Sequence, residues 1–253
     1  HRVDRRQRQM CIRDSNYQTW FLEEGGKAVL IDPWLSKQLQ PDNRIFIQRK
    51  RNQASLLSDE DYKRVHAIII TAPFEDHLHA ESIKSFPKSV KIYTSKLIKK
   101  FLYRQGIVDN IHIIDAEGVD IGLMNFKALP TGFPYYPATF ALLIEDSKGK
   151  RIFHEGHIAK FKYLIKNNIK ADIAVLTAEE VKLFGFLRLG MDFKRTLKTC
   201  KILGAKELFI TGSNPEKTTG FISKFLSIKS LEREKIQANI SLHDQAGDFI
   251  ELD

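Results

Sequence analysis

Cysteine is nearly absent from this 253-residue chain: only Cys11 and Cys200 occur. So few thiols exclude a disulfide framework and a cysteine-built metal cluster. Long apolar runs are also missing, and none approaches the roughly 18 residues of a membrane-spanning helix. Internal repeats, low-complexity tracts and domain-splitting linkers are lacking as well. What remains is an ordinary apolar fraction, enough to bury the core of one domain. Acidic residues fall short of basic ones, giving a net charge of +9. A mild positive excess fits lysine-rich solvated helix faces, and it also fits an anionic small-molecule substrate. No nucleic-acid partner is expected from it.

The first fifteen residues stand apart. Residues 5–15 back-translate codon for codon into a stretch that resembles a sequencing-library adapter with its transposase end. Residues 1–15 are therefore expected to be non-native, with a single domain over 16–253 whose first strand is truncated. Setting them aside removes five Arg and two Asp, which leaves 35 basic and 29 acidic residues and a net charge of +6. The expected location is the cytoplasm, with the authentic N-terminus expected to be missing.

Residues 19–24 and 27–32 predict two strands joined by a Gly25-Gly26 hairpin and closed off by Pro33-Trp34. Residues 36–51 are polar and basic, ending in Arg49-Lys50-Arg51, and read as a long surface excursion able to hold an anion. Short β-branched runs then predict strands at 67–70, 90–93, 111–114, 126–129, 139–144, 151–154, 173–176, 207–210 and 248–251. Helices are predicted near 95–103, 159–167, 193–203 and 219–227. Two β-rich halves, each finishing in helices, predict two packed sheets with helices outside both.

Chemistry concentrates in Thr71-Ala-Pro-Phe-Glu-Asp76-His77-Leu-His79, which follows an apolar strand and opens a helix carrying Ile83 and Phe86. An Asp-His pair there sets an anionic oxygen and imidazole nitrogens at one strand end, a donor set that suits zinc, manganese or iron. A second cluster, His154-Glu155-Gly156-His157, ends the strand at 151–154. Its spacing is one residue short of the zinc-protease His-Glu-x-x-His. Each residue has a structural reading as well. Asp76 could cap a helix beginning at His77, and His79 could pack on its first turn. His154 could be a satisfied core histidine, and Glu155 the partner of a lysine or an imidazole.

Residues 71–81 resemble the metallo-β-lactamase superfamily signature His-x-His-x-Asp-His, and the likeness covers nearly all of 16–253. Val29-Leu-Ile-Asp32-Pro33 resembles the superfamily's strand-ending Asp-Pro, which shapes the site from behind. The resemblance implies an α/β (α+β) fold, a four-layer αββα sandwich with its site where the sheets meet. In dinuclear members three histidines hold the first metal. Ala72, Phe74 and Thr131 or Gly132 stand at those positions, so that site is expected to be lost. At the second site Asp76 and His77 match, His157 replaces the bridging Asp, and Gly212 or Ser213 stands for the final His. Glu75-Asp76-His77-Leu78-His79 and Glu155-Gly156-His157 are similar to a plant and cyanobacterial branch that reads Asp-Asp-His-x-His and Glu-x-His.

The resemblance thus implies one divalent metal ion, zinc with manganese or iron as alternatives, on Asp76, His77 and His157, with His79 as a further candidate ligand. The expected activity is mononuclear metal-dependent hydrolysis of an ester, lactone or phosphoester, with Asp76 or Glu155 taking a proton during attack. The alternative is a non-catalytic scaffold that has lost the dinuclear site. Iron-based redox chemistry stands third.

Overall fold

Gly25 and Gly26 both take positive φ and turn the chain back after Glu24. A two-residue turn of that hand matches the twist of the strands it joins. In the computed structural model, which describes residues 10–15, 17–36, 48–50, 56–212, 217–229 and 239–252, this hairpin lies near the middle of a seven-stranded sheet. Its strands are β1 (Met10–Asp14), β2 (Trp20–Glu24), β3 (Lys27–Ile31), β5 (Val65–Ile70), β6 (Lys91–Thr94), β7 (Ile111–Ile113) and β19 (Phe249–Leu252). They run in the order β19-β1-β2-β3-β5-β6-β7. A second seven-stranded sheet takes β8 (Val119–Ile121), β9 (Met124–Pro130), β10 (Phe140–Glu145), β11 (Arg151–His154), β12 (Ile173–Leu176), β15 (Glu207–Ile210) and β18 (Ser241–His243). A small third sheet is built from β13 (Glu180–Leu183), β14 (Leu187–Arg188) and β17 (Leu226–Lys229). Finally, β4 (Gln48–Lys50) pairs with β16 (Lys217–Thr219).

Period-two alternation sorts the second sheet's side chains onto two faces. Leu142, Ile144, Ile152, Ile173, Val175 and Phe209 join the first sheet's Trp20, Leu22, Val29 and Ile68 in one core. Their neighbours Ala141, Phe153, Ala174, Leu176 and Leu208 face the other way and pack with Leu164, Cys200 and Leu203. Those last three belong to α4 (Phe161–Lys166) and α5 (Phe193–Leu203). On the far side, Ile83 and Leu102 from α2 (Ala80–Lys84) and α3 (Lys96–Arg104) close the first sheet, with α1 (Asp59–Arg64) leading into β5. Helix, sheet, sheet, helix is the expected four-layer order. Both faces of the middle strands are covered, which is why they read as near-continuous apolar runs.

β1 lies inside the segment set aside as non-native, where it pairs with β2 and β19 and buries Met10 and Ile12. One expectation changes. The helix expected over 219–227 is instead a single 3-10 turn, Ile222–Phe225, between β16 and β17. Gly220 at positive φ starts that turn, and pairing of Ile228 with Val181 draws the following residues into a strand before a helix can propagate. Of the basic excursion, only Ser36 and the backbone of β4 fall among the described residues. Arg51 and Ser213 lie outside them.

Candidate functional site

Most side chains of the site sit at or just beyond the carboxyl end of a strand with a parallel neighbour, the edge where ligands gather in sheets of this kind. β3 ends in Asp32, β5 in Thr71, β11 in His154 and Glu155, and β12 in Thr177. Phe140 at the start of β10 donates its N–H to the Thr71 carbonyl at 3.2 Å, tying the two sheets together at this edge.

Asp32 is completely buried. Its Oδ1 accepts the Thr71 N–H at 2.7 Å, and its Oδ2 accepts both the Thr71 hydroxyl and the His77 Nδ1–H, the latter at 2.7 Å. This fixes the His77 ring and turns Nε2 away from the carboxylate. His77 comes from the turn 74–78, where its own N–H and that of Leu78 both bond the Phe74 carbonyl. The helix expected to open at His77 begins at Ala80, so Asp76 does not cap it. His79 does: its Nδ1 accepts the Ser82 N–H at 3.3 Å and lies 2.7 Å from the Ser82 hydroxyl. Asp76 is half-buried on the turn next to His77.

His157 takes a left-handed backbone, φ 84°, which is uncommon outside glycine and asparagine. Its ring stacks on Tyr135 (centroids 4.3 Å apart) and meets His77 edge-on at 4.6 Å and Phe74 at 5.5 Å. Tyr135 is anchored in turn by its hydroxyl, which donates to the Leu189 carbonyl at 2.7 Å. The two imidazoles predicted from distant motifs therefore do meet, inside an aromatic cluster.

Glu155 and His154 are buried behind them. Glu155 Oε1 accepts the Thr177 N–H at 2.7 Å and the Thr177 hydroxyl, while Oε2 has no hydrogen-bond partner among the described residues. Burial pushes this carboxyl up to about 8, against the Thr177 bonds and the Arg195 charge that hold it down. At neutral pH Glu155 therefore keeps its proton, which suits donation rather than the base role expected of it. His154 is not the satisfied histidine its strand position suggested. Neither ring nitrogen bonds a described residue, and burial lowers its pKa to about 4, opposed by the nearby Asp32 charge and reinforced by His77.

These two groups set a pH dependence. His154, depressed from about 6.5 when unfolded, contributes stability that is lost as pH falls from about 6.5 to about 4. Glu155 is raised from about 4.5, so its contribution is full below that value and lost as pH rises towards about 8. The two slopes oppose each other between about 4.5 and 6.5 and leave Glu155 acting alone above that window. Urea midpoints should fall between pH 6.5 and 8.5 in the parent and hold steady in Glu155→Gln. Equal falls in both proteins would refute the assignment.

The positions expected to have lost ligands are filled by structure. Ala72 is buried and Phe74 faces the His157 ring. Thr131 accepts the Thr139 hydroxyl at 3.0 Å. A Cβ at Gly132 would meet Ile158 Cγ2 at 2.7 Å, and one at Gly212 would meet Gln18 Nε2 at 2.5 Å. The surviving donors, two imidazoles with nearby carboxyls, have the chemistry of a metal site. Their positions do not: among the described residues no three His, Cys, Asp or Glu side chains are gathered closely enough to hold an ion. As arranged, the residues do not fit the metal the resemblance implied. Sequence reasoning missed Tyr135, Thr71 and Thr177, whose residue types carry no metal or acid–base signal. It also gave Asp32 only a shaping role.

A family model described as "Beta-lactamase superfamily domain" matches residues 12–207. No curated protein matches the sequence. Among solved structures, a possible metal-dependent hydrolase from Veillonella parvula superposes with a TM-score of 0.71 at 18% identity, covering 97% of this chain and 100% of its own. An isothiocyanate hydrolase from Delia radicum gut bacteria gives 0.71 at 20% identity, covering 95% and 98%. A metallo hydrolase from the archaeon Ignicoccus hospitalis gives 0.62 at 17%, covering 97% and 99%. At these identities the likeness is one of fold.

Proposed function

We propose that this chain, which belongs to the β-lactamase superfamily, is a hydrolase of a small ester, lactone or phosphoester acting at the His77–His157 cluster. The observation that carries the reading is the Asp32–His77 bond, which holds a buried imidazole in one orientation against His157 at the edge of both sheets. An oriented imidazole is the commonest device for moving a proton in hydrolysis. In this reading Asp76, on the half-buried turn, takes the proton of the attacking water as its oxygen bonds the ester carbon or phosphorus, and Glu155, protonated at neutral pH, gives its proton to the oxygen that departs as that bond breaks. The names of the neighbouring structures, hydrolases in each case cited, agree with the class of reaction.

A panel of esters, lactones and phosphodiesters tests it. His77→Gln and His157→Ala should each lower kcat/KM by roughly 100-fold or more, the usual worth of a positioned acid or base. No turnover on any member of the panel, with or without added Zn²⁺, Mn²⁺ or Fe²⁺, would sink the proposal.

The second reading, a non-catalytic scaffold, is favoured by one observation: no three donors converge among the described residues. Metal content after purification separates the cases. Near-stoichiometric metal that disappears in His157→Ala would restore the metal-dependent reaction. A metal-free, inactive, well-folded protein would establish the scaffold.

A further inference from the structure

Phe184 and Gly185 form the tip of the β13–β14 hairpin, both at positive φ (53° and 75°). Phe186 completes this three-residue tip, and an aromatic side chain at a positive φ such as that of Phe184 costs about 1 kcal/mol or more. The ring it displays is not buried in compensation. Phe184 is 56% exposed, Phe186 79% and Phe221 57%, with Phe225 and Ile228 also exposed. They form one patch: Phe184 lies 6.4 Å from Phe186 and 5.1 Å from Phe225, which meets Phe221 at 5.5 Å. The hairpin tip is held to the 3-10 turn by the Phe184 N–H on the Phe225 carbonyl at 2.9 Å, so the patch is a single built surface.

Its rim is cationic. Lys224 stands over the Phe221 ring at 5.9 Å. Lys182, Arg188 and Lys229 surround Glu180 at 2.9, 3.0 and 3.9 Å, so one carboxylate is shared by three cations. Arg188 also pairs with Asp192 at 2.5 Å. Counting these six groups, four cations face two carboxylates, and the exposed Lys229 and Lys224 point the surplus outward beside the aromatics.

We infer that this surface docks on an anionic phospholipid bilayer. Phenylalanine rings insert at the boundary between headgroups and acyl chains, and lysines at the rim meet the negative surface charge. A soluble partner would equally accept the rings, but the surplus of four cations over two carboxylates at the rim selects an anionic surface. Such docking needs no membrane span, and among the described residues no helix is long and apolar enough to make one. The patch is also one hydrogen bond from the site, because the hairpin continues into Leu189, whose carbonyl holds Tyr135 against His157. Docking does not depend on the catalytic reading.

Flotation of the full chain with vesicles tests it, comparing pure phosphatidylcholine with phosphatidylcholine containing phosphatidylglycerol. Binding to the anionic vesicles should exceed binding to the neutral ones and weaken with added salt. Phe186→Ser with Phe221→Ser should lower the partition coefficient by roughly tenfold or more. Lys224→Glu and Lys229→Glu should each cost at least about fivefold on anionic vesicles alone. All four positions are exposed, and an unchanged melting temperature checks that the variants fold. No flotation with either vesicle, or flotation indifferent to these substitutions, would overturn the inference. So would a parent protein that is dimeric by light scattering and becomes monomeric in the double Phe variant, since the patch would then belong to a second copy.

Discussion

Replacing Asp32 with Ala should lower the stability of this protein by about 3–5 kcal/mol, the usual cost of removing one partner from a buried charged cluster. Three donors converge on that carboxylate: the Thr71 N–H, the Thr71 hydroxyl and the His77 Nδ1–H. Alanine leaves all three buried without an acceptor. It also places a Cβ-bearing residue with no local hydrogen-bonding group at φ 48°, where aspartate and asparagine are the tolerated choices. For a domain of this size a loss of that order lowers the melting temperature by roughly 10 °C. Asp32→Asn should fall between parent and Ala, because it keeps the backbone preference and the shape but offers one acceptor oxygen instead of two. Calorimetric melting of the three proteins is the measurement. An Ala variant that melts within about 2 °C of the parent would show that the network is not a principal source of stability.

Gly156→Ala should be nearly as severe, for a steric reason. A methyl group at this position would sit 2.5 Å from the Phe140 carbonyl oxygen, 2.9 Å from its carbon and 3.0 Å from Thr131 Cγ2. Two of those atoms are backbone. Phe140 cannot retreat cheaply, because its N–H is bonded to Thr71 across the sheets. The loop carrying His157 must move instead, and overpacking of this kind costs about 1–3 kcal/mol or more. Gly149→Ala is the control. It meets nothing within 4 Å, so only its φ of 83° counts against it, and about 1 kcal/mol is expected. If the two variants melt together, the contact with Phe140 carries no weight. If Gly156→Ala melts lower but hydrolysis by the surviving fold is unchanged, His157 has no part in the reaction.

Legibility followed periodicity. The runs at 173–176 and 207–210 and the helix at 193–203 are found where their patterns predict them, because each is long and regular enough to outvote local exceptions. The small third sheet left no such trace. β14 has two residues, and β13 finds its partner β17 some forty residues later, so neither alternation nor proximity betrays the pairing. Residues 219–227, which lead into β17, carry a helical pattern, and the exposure of their aromatics is visible only in the folded chain. His154 shows the converse error. An alternating strand predicts a polar residue that is satisfied, but its face of β11 is closed by Trp20 and the cluster around Asp32.

By itself the order of residues determined the layers of this protein and the two loops that carry its imidazoles, since backbone pairing and burial depend on patterns a few residues long. Only the tertiary structure decided what those imidazoles face. Asp32 reaches His77 across 45 positions, Tyr135 stacks on His157 across 22, and the carboxyl of Glu155 is buried until it holds its proton. Hydrogen bonds and desolvation act over a few ångströms of space, and no local pattern encodes which distant residues will share them.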